Sequence, residues 1–310
     1  MNARFRISPD SGHGFCGMKL STMREVTIIC RLKSRNGLAY YQRLHDELPK
    51  RGVRIVAAQT VKKRKDFIRA IRAAVKSRVQ TIVVVGGDGS QTAAVAEFAH
   101  AKSVLAVVPA GTGNSFALSL GIKDVESAID AIVQGKEQKI DVGVVNGTYF
   151  ANFATIGLLA DAAAQTARPL KRIFGPVAYA ISALREFIQN KPFRIRVKWK
   201  GGELDFETHQ AIIANGRYFG WQALTPDAGV RSGELAFFAV EGASRTDAIK
   251  TSTALLRGDQ TKLEGAHYFS ACKIEIRTKP KQRLDIDGHS LGRTPAKFKV
   301  EPKALRVLVP

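Results

Sequence analysis

The sequence predicts an α/β domain built on a doubly wound parallel sheet, followed by a β-rich domain of sandwich or barrel type. Three observations carry this. Up to about residue 137, short apolar segments alternate with helical patterns, as a parallel sheet covered on both faces requires. Two of those apolar segments end in glycine-rich loops that open the next helix. Near residue 138 the pattern changes, and short β-like segments broken by Gly, Asn, Pro and Asp turns take over.

Strands are expected to start near Val26, Val53, Thr81 and Val104. The helical patterns between and after them run over Leu38–Pro49, Lys65–Ser77, Gln91–His100 and Asn114–Leu120. Asp124–Gln134 adds a further helix, with Ala128, Ile129, Ile132 and Val133 on one face. The second half reads as strands at Ile140–Val145, Tyr149–Ile156, Phe193–Lys200, Gln210–Asn215, Leu235–Val240, Lys273–Arg277, Arg283–Ile286 and Leu305–Val309. Helices are expected at Val177–Ile188 and Thr246–Leu256. The chain therefore divides into an extension without packed structure (1–22), an α/β domain (23–137) and a β domain (138–310). The first strand begins just after Met18 and Met23, either of which can serve as a start.

With 310 residues and 45% hydrophobic content, the chain can bury two cores and is not of the disordered class. Its formal net charge is +21, which points to anionic partners. Residues 1–72 carry 17 Lys and Arg against 5 Asp and Glu, and residues 168–200 carry 9 against 1. A solvated basic surface is one reading; docking on an anionic membrane leaflet is the other, and the one preferred here. Cys16, Cys30 and Cys272 are too few and too scattered for a disulfide framework or a zinc site. No apolar run has the length of a membrane span, and residues 1–22 contain no apolar core of a secretory signal. A cytoplasmic protein is expected. No nucleic-acid motif accompanies the basic charge, so no specific nucleic-acid partner is expected.

Thr81–Val85 is a buried-strand pattern that ends at Gly86-Gly87-Asp88-Gly89-Ser90. Val104–Val108 ends the same way, at Pro109-Ala-Gly-Thr-Gly-Asn-Ser-Phe-Ala117. Glycines at such junctions let backbone N–H groups approach an anion. A phosphate-handling crevice at the carboxyl edge of the sheet follows from the pair.

Four motifs in order resemble the bacterial diacylglycerol kinase and sphingosine kinase type of lipid kinase. They are Gly86–Ser90, Pro109–Ala117, Ile140–Asn152 with Gly157, and Asp285-Ile-Asp-Gly-His289 with Pro302–Pro310. The match runs from about Val26 to Pro310. The resemblance implies a nucleotide-binding domain of the NAD kinase and phosphofructokinase type, then a β-sandwich, with the active site between them. It implies transfer of the ATP γ-phosphoryl group to a lipid hydroxyl, with Mg²⁺. Diacylglycerol is the leading acceptor; a sphingoid base or phosphatidylglycerol is the alternative. The protein would meet its lipid at an anionic membrane surface as a peripheral protein.

Residue by residue, the resemblance implies nucleotide contacts from Thr60, Gly86, Gly87, Asp88, Gly89, Ser90, Gly111, Thr112 and Asn114. Asp88 would organise its loop and hold Mg²⁺ directly or through water. Asn114 also suits a helix N-cap. Where relatives carry Asp-Gly-Glu, with the glutamate as general base, this chain has Asp287-Gly288-His289. His289 can replace the base, Asp287 can act instead or no strong base is needed, or activity is weak or lost. Ser115 stands where relatives commonly have Asp. Arg31–Arg35 replaces an Asn-Pro-x-x-Gly turn, leaving Lys33 or Arg35 either to reach a phosphate or to sit solvated. Ser232 replaces an aspartate that contributes to an accessory Mg²⁺ site, and serine is a poor sole ligand for a hard cation. Leu170–Pro176 has the mixed composition of an interfacial contact. The rival readings are an NAD kinase-like enzyme, which shares only the first glycine loop, and a degenerate nucleotide- and lipid-binding relative.

Overall fold

The structure is a computed structural model, and it describes residues 23–157, 191–216, 218–219, 222–223, 229–242, 244–257, 259 and 262–310. The expected extension at 1–22, the interfacial segment Leu170–Pro176 and the helix Val177–Ile188 lie outside the described residues.

The first domain follows the predicted alternation. Strands β1 (Glu25–Arg31), β2 (Arg54–Val61), β3 (Thr81–Gly86) and β4 (Val104–Pro109) alternate with helices α1 (Gly37–Lys50), α2 (Arg64–Lys76), α3 (Asp88–Phe98) and α4 (Ser115–Ser119); α5 (Val125–Gln134) follows. The strands pair in parallel in the order β4-β3-β1-β2. Every residue of β3 and β4 is buried, because helices cover both faces. Helix α2 turns Phe67 and Ile71, one turn apart, into the core. Helix α5 starts with a capping box, in which Asp124 accepts from Ser127 N and Ser127 accepts from Asp124 N.

The second half supplies β5 (Lys136–Val145), β6 (Thr148–Phe150), β7 (Phe153–Gly157), β8 (Phe193–Trp199), β9 (Gly202–Ala214), β10 (Tyr218–Phe219), β11 (Gln222–Ala223), β12 (Leu235–Glu241), helix α6 (Arg245–Arg257), β13 (Ala266–Ala271), β14 (Lys273–Lys279), β15 (Arg283–Ile286), β16 (His289–Arg293) and β17 (Ala296–Val309). The expected strand Tyr149–Ile156 is two strands, β6 and β7, separated by Ala151 and Asn152. Strands β13 and β16, which have no clear β pattern, were not expected. In β8 and β14 buried and exposed residues alternate, as a sheet with one wet face requires.

The two halves share one continuous sheet. Residue 138 falls inside β5, and β17 joins the halves. Residues 296–300 of β17 alternate like a sandwich strand, with Lys297 and Lys299 outside. Beyond a register shift, Leu305, Val307 and Leu308 are buried in the α/β core beside β4 and β5. A second core lies inside the sandwich around Phe150, Phe193, Phe237 and Phe298.

Candidate active site

The order β4-β3-β1-β2 reverses the winding direction between β1 and β3, and ligand crevices form outside the carboxyl ends of strands at such a point. Three loops meet there. The turn after β1 is tied to the loop after β4 by Asn36 N donating to Ala110 O at 3.2 Å. The loop after β4 is tied to the end of β3 by Ala110 N donating to Gly86 O at 3.0 Å. Buried Gln91 holds the same Gly86 O through its side-chain amide at 3.0 Å.

The glycines of both loops are required by the protein itself. A Cβ on Gly87 would stand 2.9 Å from Gly111 Cα, and one on Gly111 would stand 2.6 Å from Gly87 Cα. A Cβ on Gly86 would collide with Ser90, at 2.4 Å from its Cβ. Ser90 is buried, with its N–H donating to Gly87 O at 2.8 Å.

Asp88 fastens the loops together. Its Oδ2 accepts from Asn114 N at 2.8 Å and its Oδ1 from Ser115 N at 2.7 Å. Burial holds the carboxyl above the usual carboxylate value, against the pull of these N–H groups. Asp88 therefore caps α4 from the other loop. Asn114 occupies the N-cap position in the left-handed region (φ 54) without capping. Its side chain closes on Gly111 instead, accepting from the N–H at 2.9 Å and donating to the carbonyl at 3.1 Å. Thr112 is exposed at the tip of that loop. Thr60 is exposed at the end of β2, paired in register with Cys30. Lys33 and Arg35 are exposed on the turn after β1.

The sandwich reaches this crevice through the turn between β15 and β16. Asp287 sits there in the left-handed region (φ 47) and is buried. Its Oδ1 accepts from Asn152 N at 3.0 Å and Phe153 N at 3.1 Å. Its Oδ2 accepts from Ala151 N at 2.8 Å and Thr92 Oγ1 at 3.1 Å. Burial raises its pKa, and these four donors oppose the rise. The four donors use the lone pairs of both oxygens, so Asp287 is a clamp between β6, β7, β15 and α3. Asp287, expected as an alternative base, has both carboxylate oxygens engaged by these four donors.

Next to it, His289 overhangs the first glycine loop. A Cβ on Gly89 would stand 3.2 Å from His289 Nε2. Arg64 Nη1 donates to Gly89 O at 2.9 Å and lies 3.0 Å from the same Nε2. Of the predicted residues the structure thus gathers Gly86, Gly87, Asp88, Gly89, Ser90, Gly111, Asn114, Asp287 and His289. Sequence reasoning missed Arg64, Gln91, Thr92 and Asn215, whose amide donates to Asp141 O and Ala151 O behind the Asp287 clamp. Of these, Gln91 and Thr92 directly follow the first motif; Arg64 looks like any surface cation on an amphipathic helix.

The implied metal sites fit poorly. Among the described residues no group of three or more His, Cys, Asp and Glu gathers as for a metal ion. Asp88 stands alone and already binds two N–H groups, so it lacks the companions of a protein-built site. At the accessory site the Ser232 hydroxyl lies 3.0 Å from Gly229 O and 2.9 Å from Glu234 O, bridging carbonyls itself.

Residues 27–145 match the family model of the diacylglycerol kinase catalytic domain, and residues 154–309 match the YegS C-terminal NAD kinase beta sandwich-like domain. The chain is similar to the diacylglycerol kinase of Bacillus subtilis (strain 168), with 27% identity over 79% of this chain and 82% of the relative. It is 31% identical to the diacylglycerol kinase of Staphylococcus epidermidis (strain ATCC 35984) over 73% of this chain and 72% of that one. A solved structure of a diacylglycerol kinase from Bacillus anthracis has the same fold, with a TM-score of 0.71 at 19% identity, covering 93% of this chain and 97% of that chain. Fold and site together define a lipid kinase, an enzyme that transfers phosphate to a hydroxyl. The chain belongs to the diacylglycerol kinase family.

Proposed function

We propose that this protein transfers the γ-phosphoryl group of ATP, presented as its Mg²⁺ complex, to the free hydroxyl of diacylglycerol, giving phosphatidic acid. The observation that carries the reading is His289 of the sandwich standing over Gly89 of the phosphate loop. Phosphoryl transfer asks the protein mainly for positioning and charge neutralisation. The two glycine loops, locked by Asp88, would cradle the triphosphate, with Thr60 and Thr112 at the rim of the crevice. The acceptor oxygen bonds to the γ-phosphorus, the bond to the β,γ-bridging oxygen breaks, and ADP departs. The hydroxyl proton passes to His289. Asp287, saturated by donors, positions the turn that carries it. Among the described residues no helix is long and apolar enough to cross a membrane. The net charge of +21 supports approach to the lipid at an anionic surface.

The test is transfer of ³²P from γ-labelled ATP to lipids in mixed micelles, with diacylglycerol, sphingosine, ceramide, phosphatidylglycerol and monoacylglycerol as acceptors and NAD as a soluble control. Labelled phosphatidic acid is expected, with loss of about 10²-fold or more in His289→Ala. Label only in a sphingoid base or phosphatidylglycerol would move the acceptor, and label in NADP would overturn the lipid reading. No label in any acceptor, with ATP still bound, would mark a degenerate binding protein.

A further inference from the structure

Arg64 touches both halves of the crevice: Nη1 donates to Gly89 O at 2.9 Å and lies 3.0 Å from His289 Nε2. A guanidinium has donors only, so the contact requires Nε2 to carry a lone pair. The ring is then in the tautomer protonated on Nδ1. That tautomer has its basic nitrogen toward the loop that would hold the phosphates. Yet the lone pair is already spent on Arg64. A guanidinium gains a full charge–charge attraction and bidentate geometry with phosphate oxygens that a neutral imidazole cannot offer, so phosphate arriving beside Gly89 outcompetes the imidazole.

We infer that Arg64 is a positioning residue: it fixes His289 with its Nε2 lone pair over the glycine loop in the nucleotide-free protein and passes to the γ-phosphoryl oxygens when ATP enters. This rests on the proposed phosphotransfer at the same site. The exchange frees Nε2 to take the acceptor's proton only once the donor is bound, leaving His289 as an imidazolium after the phosphorus–oxygen bond forms. It also makes Arg64 the neutralising charge on the transferring group. The base is thus withheld from water and lipid alike until there is phosphate to transfer.

The test reads the His289 ring directly. In ¹⁵N-labelled protein, long-range ¹H–¹⁵N spectra separate the two tautomers and the imidazolium; the His289 signal is the one lost in His289→Gln. Wild type is expected to show an unprotonated, hydrogen-bonded Nε2. Adding a non-hydrolysable ATP analogue should move that resonance toward the position of a free lone pair. Arg64→Met should show the moved position without nucleotide and raise the KM for ATP at least about tenfold. Arg64→Gln, which keeps a polar head but not the reach, serves if Arg64→Met does not fold. An Nε2-protonated ring in wild type would overturn the inference, as would an Nε2 signal and a KM indifferent to position 64. If the nucleotide analogue moves Nε2 as expected but no lipid is phosphorylated, the Arg64 exchange stands and the phosphotransfer reading alone falls.

Discussion

Gly87 and Gly111 meet so closely that a methyl group on either would stand within 3 Å of the other's Cα, at 2.9 and 2.6 Å. The two glycine-rich loops are one object. Gly87→Ala and Gly111→Ala should each cost about 1–3 kcal/mol, because the neighbour is backbone and cannot turn aside. Once either has parted the loops, the other should cost less, so the double variant should fall short of additivity. Denaturant unfolding of the three variants measures this; additive costs would mean the loops move independently.

Asp88→Asn should be more damaging than its size suggests. One of the two oxygens facing Asn114 N and Ser115 N becomes an amide donor aimed at a donor. A loss of about 2–4 kcal/mol is expected, together with loss of nucleotide affinity in the absence of any divalent cation. Calorimetric titration with ATP in chelator makes the distinction. Affinity that falls only when Mg²⁺ is present would give Asp88 a metal's partner rather than a clamp.

Asp287→Asn faces four donors with one acceptor oxygen fewer. Stability should drop by about 2–4 kcal/mol. The β15–β16 turn should lose its hold on β7, which amide hydrogen exchange at Ala151–Phe153 would show as faster exchange. A variant as stable as wild type, with activity alone lost, would instead favour a chemical role for Asp287.

His289→Glu installs the glutamate that the family resemblance implies at this position. Arg64 would then hold a carboxylate in place of an imidazole, a charge-assisted bond that is harder to break. Activity is expected to survive but with slower turnover than wild type, and Arg64→Gln in that background should recover part of it. Steady-state kinetics of the single and double variants check this.

The acid limb of stability has its own reporter. Glu301 accepts from Lys299 Nζ at 2.6 Å, His100 Nε2 at 2.7 Å and Tyr149 Oη at 3.0 Å, and these contacts pull its pKa from 4.5 down to about 2. A depressed carboxyl pKa gives stability that is fully present above pH 4.5 and lost as pH falls toward 2. Wild type should lose about 2 kcal/mol over that window that Glu301→Gln does not. Parallel pH dependences in urea unfolding would remove Glu301 from the account.

Much of this was legible before any coordinates. The α/β alternation is dictated by burial, since only β-branched runs such as Thr81–Val85 tolerate helices on both faces. The two loops announce themselves through glycine. What the sequence hides is partnership over distance. Arg64 and His289 are 225 residues apart, and neither residue type advertises the other. Strand β16, His-Ser-Leu-Gly-Arg, is polar and short because it lies at the edge of the sheet, so its period is weak. Strand β17 changes from alternating to buried at every residue but Arg306 from Ala304 on, a visible break, but only pairing with β4 and β5 reveals that the chain has re-entered the first core.

That return has a temporal side. Ile140 finds its ladder partner in Leu305, and Leu105 finds one in Val307. During synthesis the α/β half emerges first, yet the strand that seals its sheet follows only after the other strands of the second half. Until then the outer edge of β4 is an open template beside wholly apolar residues, an invitation to wrong pairing that a nascent chain has to survive. Such distant closure slows folding and makes the two halves rise and fall as one cooperative unit, so damage to the β-rich half should be felt as instability in the α/β half.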